Sequence, residues 1–176
     1  MRQVIDDGRN AVRGLRAHAS QSLDLEQAFS QVWREMDEHG QTGFRVVVEG
    51  PPIPLHPLLR DDVYRIGREA LINSFRHAHA HHIEVQLKYS PNELCIVVRD
   101  DGCGIDPHVL QGGKEGHWGL SGMGERADRI GARLSLSSSP TAGTDLQLFI
   151  PARTAYLGQS KRRLKWFTNS VSMKQK

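Results

Sequence analysis

Two runs, "HIEVQLKYS" (residues 82–90) and "ELCIVVRD" (residues 93–100), constrain the fold more than any other feature of the chain. Each places apolar residues at every second position, Ile83, Val85 and Leu87 in the first and Leu94, Ile96 and Val98 in the second, and only "PN" separates them. Period two with a two-residue connection predicts an antiparallel hairpin with one apolar face that must be covered. A cover lies just upstream. Leu59, Val63, Ile66 and Ala70 recur at steps of four, three and four, which makes one apolar stripe along a helix.

The remaining segments extend this pattern. The first forty residues read as helix, with Val4, Ala11, Leu15 and Ala19 on one face and "SLDLEQAF" opening a second run that Ser22 or Asp24 can cap and Gly40 and Gly43 close. "FRVVVEG" reads as a short strand, and "PPIPLHP" as a turn into the striped helix. After the hairpin come a glycine-rich loop ending at "GHWGLSGMG", a helix through "ERADRIG", and strands near "ARLSLSSS" and "GTDLQLFIP". Helices on one side of a mixed, mostly antiparallel sheet make an α+β chain folded as a two-layer α/β sandwich, preceded by a helical segment.

Length and a hydrophobic content of 38% suit one core with appendages. No run approaches the roughly 18 apolar residues of a membrane span, and "MRQVIDDGRN" lacks the apolar heart of a secretory signal, so a cytoplasmic location is expected. Cys95 and Cys103 form neither a disulfide framework nor a CxxC metal pair, and both are expected to be reduced. From Ala152 onward stand seven basic residues and no acid, whereas residues 1–151 carry 16 basic and 20 acidic residues. Nucleic-acid binding is not expected from such a body, because its positive charge would then sit on the folded part. The tail "KRRLKWF" reads as a solvated end, or as a contact to DNA or anionic lipid.

The chemistry concentrates in three places. Glu69, Asn73 and His77 lie four residues apart, with Arg76 on the same turn, so one helix row presents a carboxylate, an amide, an imidazole and a guanidinium. Hard oxygen donors suit Mg²⁺, which completes its shell with water and phosphates, and arginine forks onto phosphate oxygens. The same row also reads as the polar face of an ordinary amphipathic helix. "RDDGCGID" puts Asp100 at a strand end, followed by Gly102 and Gly104, a turn that lets a flat ring approach the backbone. "GHWGLSGMGERA" places Gly116, Gly119, Gly122 and Gly124 ahead of a helix, where free backbone N–H groups can hold phosphate and a loop can close as a lid. The histidines at 77, 79, 81 and 82 straddle a helix end and a strand start and should point apart rather than gather a metal.

Taken in order, "EALINSFRHA", "DDGCGI", "GHWGLSGMGERA" and "GTDLQLFIP" resemble the N, G1 and G2 boxes and closing strand of the Bergerat ATP-binding fold shared by gyrase, heat-shock chaperone, histidine kinase and mismatch-repair ATPases. Within that superfamily the chain is most similar to the NarX and DesK type of bacterial sensor histidine kinase. The resemblance implies that Asn73 coordinates Mg²⁺, that Glu69 acts beside the transferred phosphate and reaches the metal directly or through water, and that Arg76 and His77 face the phosphates. It implies that Asp100 accepts from the adenine amine, with Gly102 and Gly104 shaping the slot and Thr144 beside it. Asp101 is then a variable neighbour. Gly119, Gly122 and Gly124 become the hinge and phosphate-facing backbone of the lid, with Leu120 and Met123 at the nucleotide; as apolar residues flanking a helix start, Trp118 and Met123 read equally as ordinary core. Gly124 departs from the family, where arginine is common.

The same resemblance divides the chain into the end of dimerisation or linker helices (1–40), an ATP-binding catalytic domain (41–151) and a basic tail (152–176). It implies ATP and Mg²⁺ as cofactors, and phosphotransfer to a histidine on a dimerisation helix upstream of this chain and then to a response regulator. A homodimer through the dimerisation domain, in the cytoplasmic part of a membrane-bound sensor, belongs to the same expectation. His18, in "LRAHAS", lacks the acidic residue that follows an acceptor histidine. Two other readings stand beside this one: a nucleotide-responsive interaction module without phosphotransfer, and an anti-sigma-factor-type serine kinase on the same fold.

Overall fold

The computed structural model describes residues 24–37, 40, 42–105, 118–140 and 142–158. The expected first helix with His18, residues 106–117 with Gly116, and the cluster of basic residues at 161–176 lie outside the described residues. Helix α1 (Leu25–Met36) is followed by strand β1 (Gly43–Glu49), helix α2 (Pro57–His77), and the hairpin β2 (His82–Tyr89) and β3 (Glu93–Asp100). Helix α3 (Trp118–Arg129), strands β4 (Arg133–Ser139) and β5 (Gly143–Pro151) and the single turn α4 (Ala152–Ala155) complete the body.

The five strands form one sheet in the order β1-β2-β3-β5-β4. β1 runs parallel to β2, a crossover that α2 makes possible, and every other pair is antiparallel. In register, Val85 faces Val98 and Leu87 faces Ile96, so the period-two residues of both hairpin strands reach one face. That face meets Leu59, Val63, Ile66 and Ala70 of α2 in a single core, as the stripe predicts. The expected mixed sheet with helices packed against one face is therefore present.

Among the described residues the opposite face carries charge instead of a second layer. Across neighbouring strands run Arg45, Glu84, Arg99 and Asp145, linked as Arg45–Glu84 and Arg99–Asp145 ion pairs. Strand β3 departs from simple alternation there, since Cys95 and Val97 are buried as well as Leu94, Ile96 and Val98. The cause is its central position. On the open face Cys95 lies between Lys88 and Phe149, and the Arg133 guanidinium covers the Phe149 ring at 4.3 Å.

Three boundaries differ from the sequence reading. Gly43 opens β1 rather than closing a helix, and α1 already ends at Asp37, whose N–H donates to Trp33 O at 2.9 Å. Leu25, Phe29 and Val32 of α1 are buried in the common core, with Phe29 stacked on Tyr64 at 6.0 Å and Trp33 on Phe44 at 5.6 Å. Residues assigned to the flanking helical part thus complete the body. The same holds at the other end, where Ala152, Ala155 and Tyr156 are buried and Leu55 of the proline segment bridges Tyr156. No helix among the described residues is long and apolar enough to cross a membrane.

Candidate functional site

Helix α2 lies between the sheet and solvent, so residues beside its apolar stripe border the gap toward α3. A cavity of about 540 Å³ opens there, within the range of small-molecule sites. Glu69, Asn73 and His77 form one wall, as the four-residue spacing predicts. Gly119, Leu120 and Met123 of α3 form the other. Asp100 and Thr144 rise from the sheet, Gly104 and Ile105 border the cavity, and Ala70, Val98, Leu136 and Leu146 supply apolar lining.

Asp100 is the most constrained polar group of the site, with 4% of its surface exposed. Its Oδ2 accepts the Ser74 hydroxyl at 2.8 Å, and its Oδ1 accepts the backbone N–H groups of Gly102 and Thr144, each at 3.1 Å. An ionised carboxylate offers about four acceptor positions, so one remains for a donor in the cavity. Gly104 adopts a left-handed φ of 72°, and a β-carbon there would stand 2.3 Å from the Ser139 carbonyl oxygen. The turn after Asp100 is thereby drawn against the β4–β5 hairpin. Asp101 turns away from the cavity: its carboxyl is held below the ordinary carboxylate range chiefly by the His82 N–H, and also by the His82 ring and the His81 N–H.

A second polar group, Glu69 with Asn73, stands on α2 beside the first turn of α3. A β-carbon on Gly119 would stand 2.6 Å from Glu69 Oε1 and 3.6 Å from Asn73 Nδ2, so the first turn of α3 closes onto the carboxylate and the amide. The N–H groups of that first turn, Gly119 and Leu120 among them, have no acceptor within the helix and can meet an anion.

Four of the expected residues stand elsewhere. Arg76 is exposed and does not line the cavity. Gly102 does not line the cavity; its N–H donates to Asp100 Oδ1, and a β-carbon there would stand 2.2 Å from the Ala78 carbonyl oxygen. Gly122 and Gly124 are inside α3 rather than in a loop before it, because Leu120, Met123 and Ala127 form an apolar stripe that continues the helix through the glycines. At 100° per residue they flank the cavity face to either side, and their N–H groups fall past the free first turn. Gly122 borders a separate polar groove with Asp61, Asp62, Arg65, Glu125, Arg126 and Arg129, while a β-carbon on Gly124 would meet open space. Among the described residues no group of three or more His, Cys, Asp or Glu side chains gathers as a metal site, so the histidines at 77–82 do not form one.

Sequence reasoning missed Ser74, which is 7% exposed. The signal was present, for Ser74 falls four residues after Ala70, a hydroxyl at the next position of an otherwise apolar stripe.

A two-layer sandwich with an acidic group at the end of β3, and a carboxylate and an amide on the covering helix, defines a nucleotide-binding domain. The chain belongs to the family described as histidine kinase-, DNA gyrase B-, and HSP90-like ATPase, which it matches over residues 59–154. It is 30% identical over 150 residues to the signal transduction histidine-protein kinase/phosphatase DegS of Brevibacillus brevis, covering 83% of this chain and 37% of that protein. It is 31% identical over 112 residues to an uncharacterized sensor-like histidine kinase of Chloroflexus aurantiacus, covering 60% of this chain and 19% of that one. The chain therefore spans well under half the length of these relatives. Among solved structures, the histidine kinase domain of the Erythrobacter litoralis EL346 blue-light activated histidine kinase superposes with a TM-score of 0.59 at 24% identity, covering 74% of this chain and 60% of that one. The mycobacterial sensor histidine kinase MprB superposes with a TM-score of 0.54 at 17% identity, covering 75% of this chain and 92% of that one.

Proposed function

We propose that the cavity between α2 and α3 binds Mg-ATP, and that the chain is the catalytic part of a sensor histidine kinase. In that role it presents the γ-phosphate to a histidine on a dimerisation helix, from which the phosphate passes to a response-regulator aspartate. The observation that carries this reading is the convergence of two chemically different groups on one cavity: the acceptor Asp100, and the Glu69–Asn73 pair facing the first turn of α3. An apolar slot beside a buried acceptor suits a base with an exocyclic amine. Two oxygen donors beside the first-turn N–H groups of a helix suit a polyphosphate.

The donor set also fits Mg²⁺. Asn73 and Glu69 offer hard oxygens one helical turn apart, too few to hold the ion alone, which is how Mg²⁺ is bound when phosphates and water complete its shell. Bound there, the ion neutralises phosphate charge. Asn73 would hold it, Glu69 would orient groups around the terminal phosphate, and Asp100 would hold the base. Phosphoryl transfer asks a protein chiefly for such positioning and charge neutralisation.

The test is a calorimetric titration of the chain with a non-hydrolysable ATP analogue, with and without Mg²⁺, alongside Asp100→Asn. Saturable, magnesium-sensitive binding that the variant loses supports the site, and phosphotransfer to a separately supplied dimerisation helix then tests the kinase. Binding with no transfer to any such helix favours the nucleotide-responsive interaction module. No binding by the folded chain removes the reading.

A further inference from the structure

Ser138 lies behind the cavity rather than in its lining, on β4 directly opposite Thr144 of β5. Its oxygen accepts the Ile105 N–H at 2.8 Å and stands 3.1 Å from both the Gly143 carbonyl oxygen and Thr144 Oγ1. A serine hydroxyl has one proton and two lone pairs. With a lone pair engaged by Ile105, the proton has two competing acceptors. If it goes to Gly143, the Thr144 proton can turn back onto Ser138, and Thr144 offers the cavity only lone pairs. If it goes to Thr144, the Thr144 proton is released toward the cavity.

The neighbouring group has no such choice. Asp100 accepts from Ser74, Gly102 and Thr144 and offers the cavity an acceptor. The Thr144 backbone N–H that reaches Asp100 also ties the two groups side by side, so the hydroxyl state of Thr144 decides which pattern the pair presents.

We propose that Ser138 is a positioning residue for base selection, which by donating to Thr144 makes Thr144 a hydrogen-bond donor beside the acceptor Asp100. Acceptor beside donor matches a heteroaromatic edge on which an exocyclic amine adjoins an unprotonated ring nitrogen. An edge with a keto oxygen beside a ring N–H presents the reverse pattern and meets two mismatches. This inference rests on the reading of the cavity as a nucleotide site. It adds a residue outside the cavity wall that acts through another.

Because Ser138 also holds Ile105, a merely structural role must be separated from a selecting one. The chain is titrated with ATP and with its 1-deaza analogue, in which a C–H replaces the ring nitrogen beside the amine. The parent is expected to prefer ATP about tenfold, the worth of one hydrogen bond in a closed site. Ser138→Ala and Thr144→Val should each erase most of that preference, the double variant should lose no more than either, and Ser138→Thr should retain it. A Ser138→Ala variant that weakens both nucleotides equally and keeps the preference shows an anchor for Ile105 only, and overturns the proposal. So does a double variant whose losses add. A folded parent that binds both nucleotides equally overturns the selection alone, whereas one that binds neither overturns the nucleotide site itself.

Discussion

The Ser74 hydroxyl donates to Asp100 Oδ2 at 2.8 Å, and both residues are buried, so a bond spanning 26 positions joins the covering helix to the end of the central strand. Asp100 would otherwise rest on two backbone donors at its other oxygen. Ser74→Ala leaves a desolvated carboxylate oxygen with one partner fewer. The expected cost is about 1–3 kcal/mol of stability, read by denaturant or thermal unfolding. Asp100→Asn should behave differently. Its amide oxygen can keep the Gly102 and Thr144 N–H groups while the NH₂ donates to Ser74, so the fold survives and a base amine meets a donor instead of an acceptor. Nucleotide affinity should fall at least tenfold with a smaller loss of stability. The reverse ranking of the two variants in unfolding experiments would show that Ser74 does not brace Asp100.

Gly119 tests the other part of the cavity. A methyl group there would crowd Glu69 Oε1 at 2.6 Å, the far end of a side chain that can turn aside without disturbing the backbone. Gly119→Ala should therefore leave thermal stability nearly unchanged, since alanine is also the better helix former by about 1 kcal/mol. It should lower magnesium-dependent binding or phosphotransfer several-fold by displacing the carboxylate. Unaltered magnesium dependence in the folded variant would place Glu69 outside the phosphate site.

How much of this was legible depends on the range of the interactions. The hairpin and the α2 stripe were readable because Ile83 to Leu87 and Leu59 to Ala70 repeat within a few residues, and local period decides which face is buried. The row Glu69, Asn73, His77 was readable for the same reason. The double burial of β3 was not, because nothing in "ELCIVVRD" says that it becomes the central strand. Three glycines disguised the start of α3, where burial of Met123 and Ala127 outweighs weak propensity. Ser138 was invisible, since its partner Ile105 lies 33 residues away and only the pairing of β4 with β5 and of β5 with β3 brings the two together.

The phenols make the fold sensitive to alkali. Burial is the first cause that pushes Tyr89 up to about 12 from an ordinary 10.0, and burial also raises Tyr64 and Tyr156. A group whose folded value is raised stabilises the fold fully below its unfolded value and loses that contribution as pH climbs to the folded one. For Tyr89 the window is therefore from pH 10.0 to about 12. Tyr89→Phe removes the ionisable group and should move the alkaline unfolding midpoint upward, followed by circular dichroism against pH. An unchanged midpoint would assign alkaline unfolding to the other raised groups.

The position of α1 makes the last prediction. A fragment starting at residue 41 contains every motif of the site but lacks Leu25, Phe29 and Val32, which fill the common core, Phe29 stacking on Tyr64. Fully burying each such side chain contributes about 1.5–3 kcal/mol. Their joint removal is comparable with the roughly 5–15 kcal/mol that holds an ordinary domain folded. Residues 24–158 should therefore unfold cooperatively and bind nucleotide as the full chain does, whereas residues 41–158 should lose the cooperative transition and the binding together. Thermal denaturation of the two fragments decides the matter. Equal melting temperatures would mean that α1 rests on a core that is complete without it, and the boundary of the ATP-binding unit would return to residue 41.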